Sequence, residues 1–288
     1  MKLFKINKLE MFAITKPNIF NLAFTAIFLS LAFLVIITSL LTSIDFDSIA
    51  CFASLIFAAI MFWFYPKLVV NSKIVLSVQP QEELQNGEAL RRTDYLLSVI
   101  NPKFKKEIQQ LCANRIAYLI NLGYFQQAKK ENELFRQHFD IETNPLISSV
   151  FFYNNATLNL YEENFDEYEI NIKKAYEFKS AAKGLAKITL INMIDNNTHF
   201  VNSFFTDDPN FETIVLNDMK LAERIGKSAV FSRYFAIFNY YKRQNNKEKA
   251  IQYASTLIQV ANGNFELYDC RVAKEYIENE YSSNQHCN

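Results

Sequence analysis

The chain has 288 residues, 50% of them hydrophobic and 15% aromatic, and its formal charge is zero. That length suits one or two domains. Beyond residue 66, 26 Lys and Arg face 27 Asp and Glu, a balance that argues against nucleic acid as the main partner, since phosphate binding needs clustered positive charge. Lys outnumbers Arg 22 to 8, and Phe, Tyr, Asn and Lys are plentiful, a mix that resembles the output of an AT-rich genome and hints at a bacterial source. The four cysteines, Cys51, Cys112, Cys270 and Cys287, form no CxxC pair and read as unpaired thiols of a reducing compartment.

Residues 1–18 form a basic N-terminus with Lys2, Lys5, Lys8 and Lys16. From Ile19 to Ile44, 26 residues carry no charge, and from Ser48 to Pro66 another 19 carry none. About 20 apolar residues cross a hydrocarbon core, so residues 19–66 read as a transmembrane hairpin with helices near 19–43 and 48–66. The short connection Asp45-Phe46-Asp47 makes them antiparallel neighbours. Phe62-Trp63-Phe64-Tyr65 closes the second run with the aromatic cluster of a membrane interface. Lys67 and Lys73 follow it, whereas the turn holds two Asp and no Lys or Arg. The positive-inside rule then places both termini in the cytoplasm of a cell (plasma) membrane protein. Neither run contains an ionisable residue that would mark a transport path, so the hairpin is read as an anchor.

Residues 67–99 form a juxtamembrane segment with a break expected at Pro80, then a first helix over about 81–99 with Leu84, Ala89 or Leu90, Leu96, Leu97 and Val99 inward. From residue 100 to 281 apolar residues recur at helical spacing. Boundaries fall at Asn101-Pro102, Gly123, Asn144-Pro145, Asn164, Gly184, Asp208-Pro209, Gly226, Asn245-Asn246 and Gly263. The expected class is all-α, and residues 282–288 are a polar tail.

Three stretches align internally. In the first, Gly123 is followed by Phe125 and Ala128. In the second, Glu163 is followed by Phe165 and Tyr168, with Ala175 further on. In the third, Asn245 is followed by Lys247 and Ala250. This order resembles the tetratricopeptide repeat, whose first helix ends in a small turn residue followed by an aromatic and then an Ala. The first two stretches lie 40 residues apart, against about 34 in the family, and a longer unit over roughly 182–226 fits the pattern poorly. The resemblance implies an α-solenoid of antiparallel helix pairs, with first helices lining the inner face. It implies a peptide-binding surface at Gln110, Asn114, Ala117 and Asn121 in the first unit. Tyr153, Asn154 and Thr157 follow in the second, and Phe235 and Asn239 in the later one.

No constellation for chemistry stands out. His138, His199 and His286 have no partner at metal-ligand spacing, and the five glycines form no phosphate loop. A nucleophile pair of Cys112 with His138 has no supporting motif. No catalytic residue, metal or cofactor is expected. The resulting expectation is a membrane-anchored adaptor or assembly factor, not an enzyme, that binds a protein or peptide partner at the cytosolic membrane surface. The alternative is a regulatory or immunity-type membrane protein acting through its hairpin. The partner and the oligomeric state stay open.

Overall fold

The computed structural model describes residues 6–42, 46–139, 144–184, 187, 190–191 and 194–285. Among these residues the fold is all-α, with no strand. The chain divides into two compact units, Met1–Ser77 with Arg92–Leu111, and Val78–Arg91 with Cys112–Asn288.

The first unit begins with α1 (Lys8–Thr15), whose start is fixed by a capping box: Asn7 accepts from the Glu10 backbone and Glu10 accepts from that of Asn7. Lys2 and Lys5 lie outside the described residues. Two long helices follow, α2 (Pro17–Thr42) and α3 (Phe46–Glu82). Both contain stretches long and apolar enough to cross a membrane, Pro17–Val35 with mean hydropathy 2.0 and Ala53–Glu82 with 1.8. Their pairing is antiparallel: Phe20 stacks on Tyr65 at 5.4 Å and Phe24 on Phe62 at 4.7 Å between ring centroids. Residues 43–45, and with them part of the expected turn, lie outside the described residues. Large apolar side chains point outward, with Leu22 71%, Leu29 64%, Phe33 64% and Phe57 65% exposed. A helix of a water-soluble core would bury such groups, so these surfaces suit a lipid environment.

The helix α3 runs through Pro66 as one helix of 37 residues and ends at Glu82, just past the break expected at Pro80. At about 1.5 Å per residue it is roughly 55 Å long, well beyond the ~30 Å of a hydrocarbon core. Each proline removes one backbone donor, but burial of Val70 and Ile74 with Ile14, Leu96, Ile100, Phe104 and Leu111 keeps the intervening stretch helical. The Lys73 ammonium, 3.1 Å from Glu10, is part of this assembly, so its charge is spent in an ion pair. Asn101 ties the end of α1 down: its N–H donates to Ile14 and its amide to Thr15.

The helix that begins after α3 is α4 (Asn86–Val99), and α5 (Lys105–Asn121) and α6 (Phe125–His138) come next. The second unit is then built on α7 (Pro145–Tyr161), α8 (Phe165–Ala181), the short α9 (Thr198–Asn202), α10 (Phe211–Asn217) and α11 (Met219–Ile225), α12 (Lys227–Arg243), α13 (Lys247–Val260) and α14 (Tyr268–Gln285). The three aligned stretches are helix hairpins, α5/α6, α7/α8 and α12/α13, joined by the same turn. In each, one residue takes a left-handed conformation: Gly123 at φ 76°, Glu163 at 56° and Asn245 at 55°. Its N–H reaches back three residues, and the next N–H reaches back five, to Leu119, Asn159 and Tyr241 respectively. This paired bonding satisfies the orphan carbonyls of a helix end. The end of α13 repeats it at Asn262, and the end of α3 at Leu84.

Small residues beyond the turns do what close packing requires. Ala128 and Ala250 are fully buried, as is Ala175 on α8; where Tyr168 replaces Ala, it is buried against Phe205. Glu163 is the costly substitution, because a side chain with a Cβ adopts the left-handed region at about 1–2 kcal/mol. Glu163→Gly is expected to raise stability by about 0.5–1 kcal/mol after the added freedom of the unfolded chain is offset. The midpoint of chemical denaturation in detergent reads this, and an unchanged or lower midpoint contradicts it.

Candidate functional site

The first helix of each hairpin contributes to one chamber inside the second unit, about 160 Å3 in volume. From α5 comes Asn121, from α7 Thr157 and Tyr161 one turn apart, and from α12 Ser228, Phe231 and Ser232 on one face. Gln81, Leu84 and Asn86 close it on one side, Asn197 and Phe200 on another, and Leu267 and Asp269 come from the start of α14.

Asp269 is the one charged residue of that lining. It sits in the first turn of α14, where the positive end of the helix dipole favours an anion. Tyr161 donates its hydroxyl to Asp269 Oδ1 at 3.0 Å. Burial nevertheless pushes the carboxyl up from 3.8 to about 7, against the lowering effects of the Tyr161 bond and the Arg271 charge. Burial, followed by the neighbouring Asp269 charge, pushes the Tyr161 phenol well above its ordinary range, so it remains a donor at neutral pH. Arg271 is two residues from Asp269 but donates to the carbonyls of Glu266 at 2.7 Å and Leu122 at 2.8 Å. It thereby clamps the α5/α6 turn to the start of α14.

The remaining walls are polar or aromatic. Asn121 Nδ2 donates to Asn86 Oδ1 at 3.2 Å. The Ser232 hydroxyl is buried without a hydrogen-bond partner among the described residues. Phe125, the aromatic of the first repeat turn, stacks on Tyr161 at 5.2 Å, and Tyr161 meets Tyr268 edge-on at 5.4 Å and Phe200 at 5.6 Å.

Among the residues singled out from the sequence, Asn121 and Thr157 line the chamber. Tyr153 lies one turn before Thr157 and bonds Asn197, a lining residue; burial pushes its phenol up to about 12 even though that bond and one from Thr157 lower it. Ala117 and Asn114 are half-buried on α5, and Gln110 is exposed and belongs to the first unit. Asn154 is buried, its Nδ2 without a partner among the described residues. Phe235 and Asn239 are buried too: Phe235 packs on Phe200, and Asn239 donates to Ser203 Oγ at 3.1 Å. Neither is presented to a ligand, because Phe200 and Ser203 cover that part of α12 and leave its first two turns to face the chamber. Asp269, Tyr161, Asn86, Asn197 and Ser232 carry no sequence signal that separates them from ordinary helix residues.

Chemistry elsewhere is quiet. Burial pushes the Cys112 thiol up to about 11 and the Cys270 thiol up to about 12, far from the thiolate a nucleophile needs. His138 Nδ1 is occupied by the Leu134 carbonyl at 2.7 Å. Among the described residues no three His, Cys, Asp or Glu side chains are grouped to hold a metal ion. Compared with known proteins, the chain matches no family model, no curated protein and no solved structure.

Proposed function

We propose that the chain is a membrane-tethered adaptor or assembly factor, a binding protein and not an enzyme. The α2/α3 hairpin crosses the plasma membrane with both termini in the cytoplasm. The helix pairs form a tetratricopeptide-like solenoid that holds a protein or peptide partner at the cytosolic surface. The observation that carries this reading is the convergence of the first helices of three like-built hairpins on one polar chamber. A surface formed by repeated first helices is how such arrays present ligand sites. The tether confines the partner to the membrane plane and so raises its effective concentration there.

Replacing residues 19–66 by an unrelated two-helix anchor tests the division of labour. An adaptor retains its cellular activity with the foreign hairpin. Loss of activity with the soluble part still folded and membrane-bound would favour a protein that acts through its hairpin on another membrane component.

A further inference from the structure

The chamber in the second unit has a size, a charge and an unmet bonding capacity that together specify a ligand. At about 160 Å3 it approximates cavities that hold one benzene, so one long side chain or a small organic ion fits and a folded segment does not. Asp269 is its only charged lining residue, and among the described residues its side chain bonds the Tyr161 hydroxyl and forms no ion pair. Arg271, the nearest candidate, is committed to backbone carbonyls. The hydroxyls of Thr157 and Ser232 are acceptors, and the aromatic rings of Tyr161 and Phe200 complete the lining beside them.

We infer that the chamber is a receptor for an organic cation, an alkylammonium or alkylguanidinium group, whose charge Asp269 neutralises and whose remaining N–H groups the hydroxyl and amide oxygens accept. An ammonium has three donors and no acceptor, which suits a lining of one carboxylate and several neutral oxygens. An anion would meet Asp269 unfavourably, and a neutral alkyl group would leave the carboxylate unpaired. The inference rests on the adaptor reading in one respect: there, the cation is a Lys or Arg side chain of the partner, whereas a free amine would use the same chemistry. The charged and titratable groups that interact with Asp269 are Tyr161 from α7 and Tyr268, Cys270 and Arg271 from its own helix.

The test uses the full chain in detergent, titrated calorimetrically with n-butylammonium, N-butylguanidinium, n-butanol and butyrate. Both cations are expected to bind at pH 8, at least 10-fold more tightly than butanol or butyrate. Binding should weaken about 10-fold at pH 6, where the carboxyl is largely protonated, and by at least 10-fold in Asp269→Asn. Thr157→Val should weaken it several-fold. Equal binding of butanol, undiminished binding to Asp269→Asn, or no cation binding overturns the inference. A cellular partner that stays bound to Asp269→Asn while the variant loses the cations would assign the site to a free amine and leave the adaptor reading intact. Cation binding without any partner at the chamber would keep the cation site and sink the adaptor reading.

In the first unit, a groove of about 490 Å3 is lined by Trp63, Phe64 and Pro66 together with Lys67, Lys103, Lys105 and Lys106. Its one acid, Glu107, is buried, while Lys67, Lys105 and Lys106 are exposed. Trp and Tyr rings settle at headgroup depth, which brings the lysines to the level of lipid phosphates. Resting on the membrane-anchor reading, we propose that this groove seats the headgroup of an anionic phospholipid, which basic clusters beside membrane helices attract. Nanodiscs of mixed phosphatidylglycerol and phosphatidylcholine, followed by native mass spectrometry of the released protein, should show several-fold enrichment of phosphatidylglycerol. Replacing Lys103, Lys105 and Lys106 together by Gln should abolish it. Equal retention of both lipids, an unaffected triple variant, or displacement by about 10 mM inorganic phosphate would overturn the lipid assignment.

Discussion

Asp269 is half-buried, and replacing it by Asn is expected to stabilise the protein at pH 8 by about 2–4 kcal/mol, whereas most substitutions destabilise. An unfolded aspartate ionises near 3.8, whereas burial holds Asp269 protonated until about 7. Between those values the native state keeps a proton that the unfolded state has released. Stability therefore falls as pH rises through that window and stays low above it. Each tenfold difference in proton affinity between the two states is worth about 1.4 kcal/mol, and the dipole of α14 offsets part of the total. Asn removes the charge and still offers an oxygen to Tyr161. The gain should thus be near zero at pH 4 and complete above pH 7, where it raises the thermal midpoint by roughly 5–10 °C. Thermal unfolding at both pH values measures it; an equal effect at pH 4 and pH 8, or a loss at pH 8, contradicts the expectation. A carboxylate kept where an amide would be more stable is the pattern of a residue retained for binding.

Gly123→Val should cost about 4 kcal/mol or more, and two causes add. Gly123 has φ 76°, which is strained for any residue with a Cβ and worse for a β-branched one. A Cβ there would also stand 2.7 Å from Arg271 Nη2 and 2.7 Å from Tyr268 Cδ2, breaking the clamp between the α5/α6 turn and α14. Gly184 separates the causes, since it too has positive φ, 58°, but among the described residues nothing lies within 4 Å of its would-be Cβ. Gly184→Ala should cost only about 1 kcal/mol, the conformational part. Guanidinium denaturation of the two variants reads the difference, and equal losses would mean that the clamp contributes nothing.

The architecture was legible where a local rule suffices. The uncharged runs after Ile19 and Ser48 appear as α2 and α3, and the Phe20–Tyr65 and Phe24–Phe62 pairs match the antiparallel hairpin that a short turn demands. Gly123, Glu163 and Asn245 aligned by spacing, and all three occupy the left-handed position of one turn type. Pro80 marks its break closely: α3 ends at Glu82, Leu84 turns left-handed, and the Gln85 N–H donates to the Pro80 carbonyl. The chamber was half legible. Helical phase on a first helix selects Asn121 and Thr157, but it also selects Phe235 and Asn239, which Phe200 and Ser203 cover from the region that fits the repeat pattern poorly. Asp269 belongs to a helix after the last aligned stretch, and its meaning depends on having Tyr161, 108 positions away, as its hydrogen-bond donor. No local pattern encodes such a pair.

The most direct test of the adaptor function is site-specific photo-crosslinking in native membranes, with the reactive side chain placed at Ser228 on the chamber wall or at Lys174, exposed on α8. An adaptor should give one discrete protein adduct from position 228 that an excess of the unlabelled soluble region suppresses, and none from position 174. Adducts of the same identity and yield from both positions, or from neither, would contradict that function.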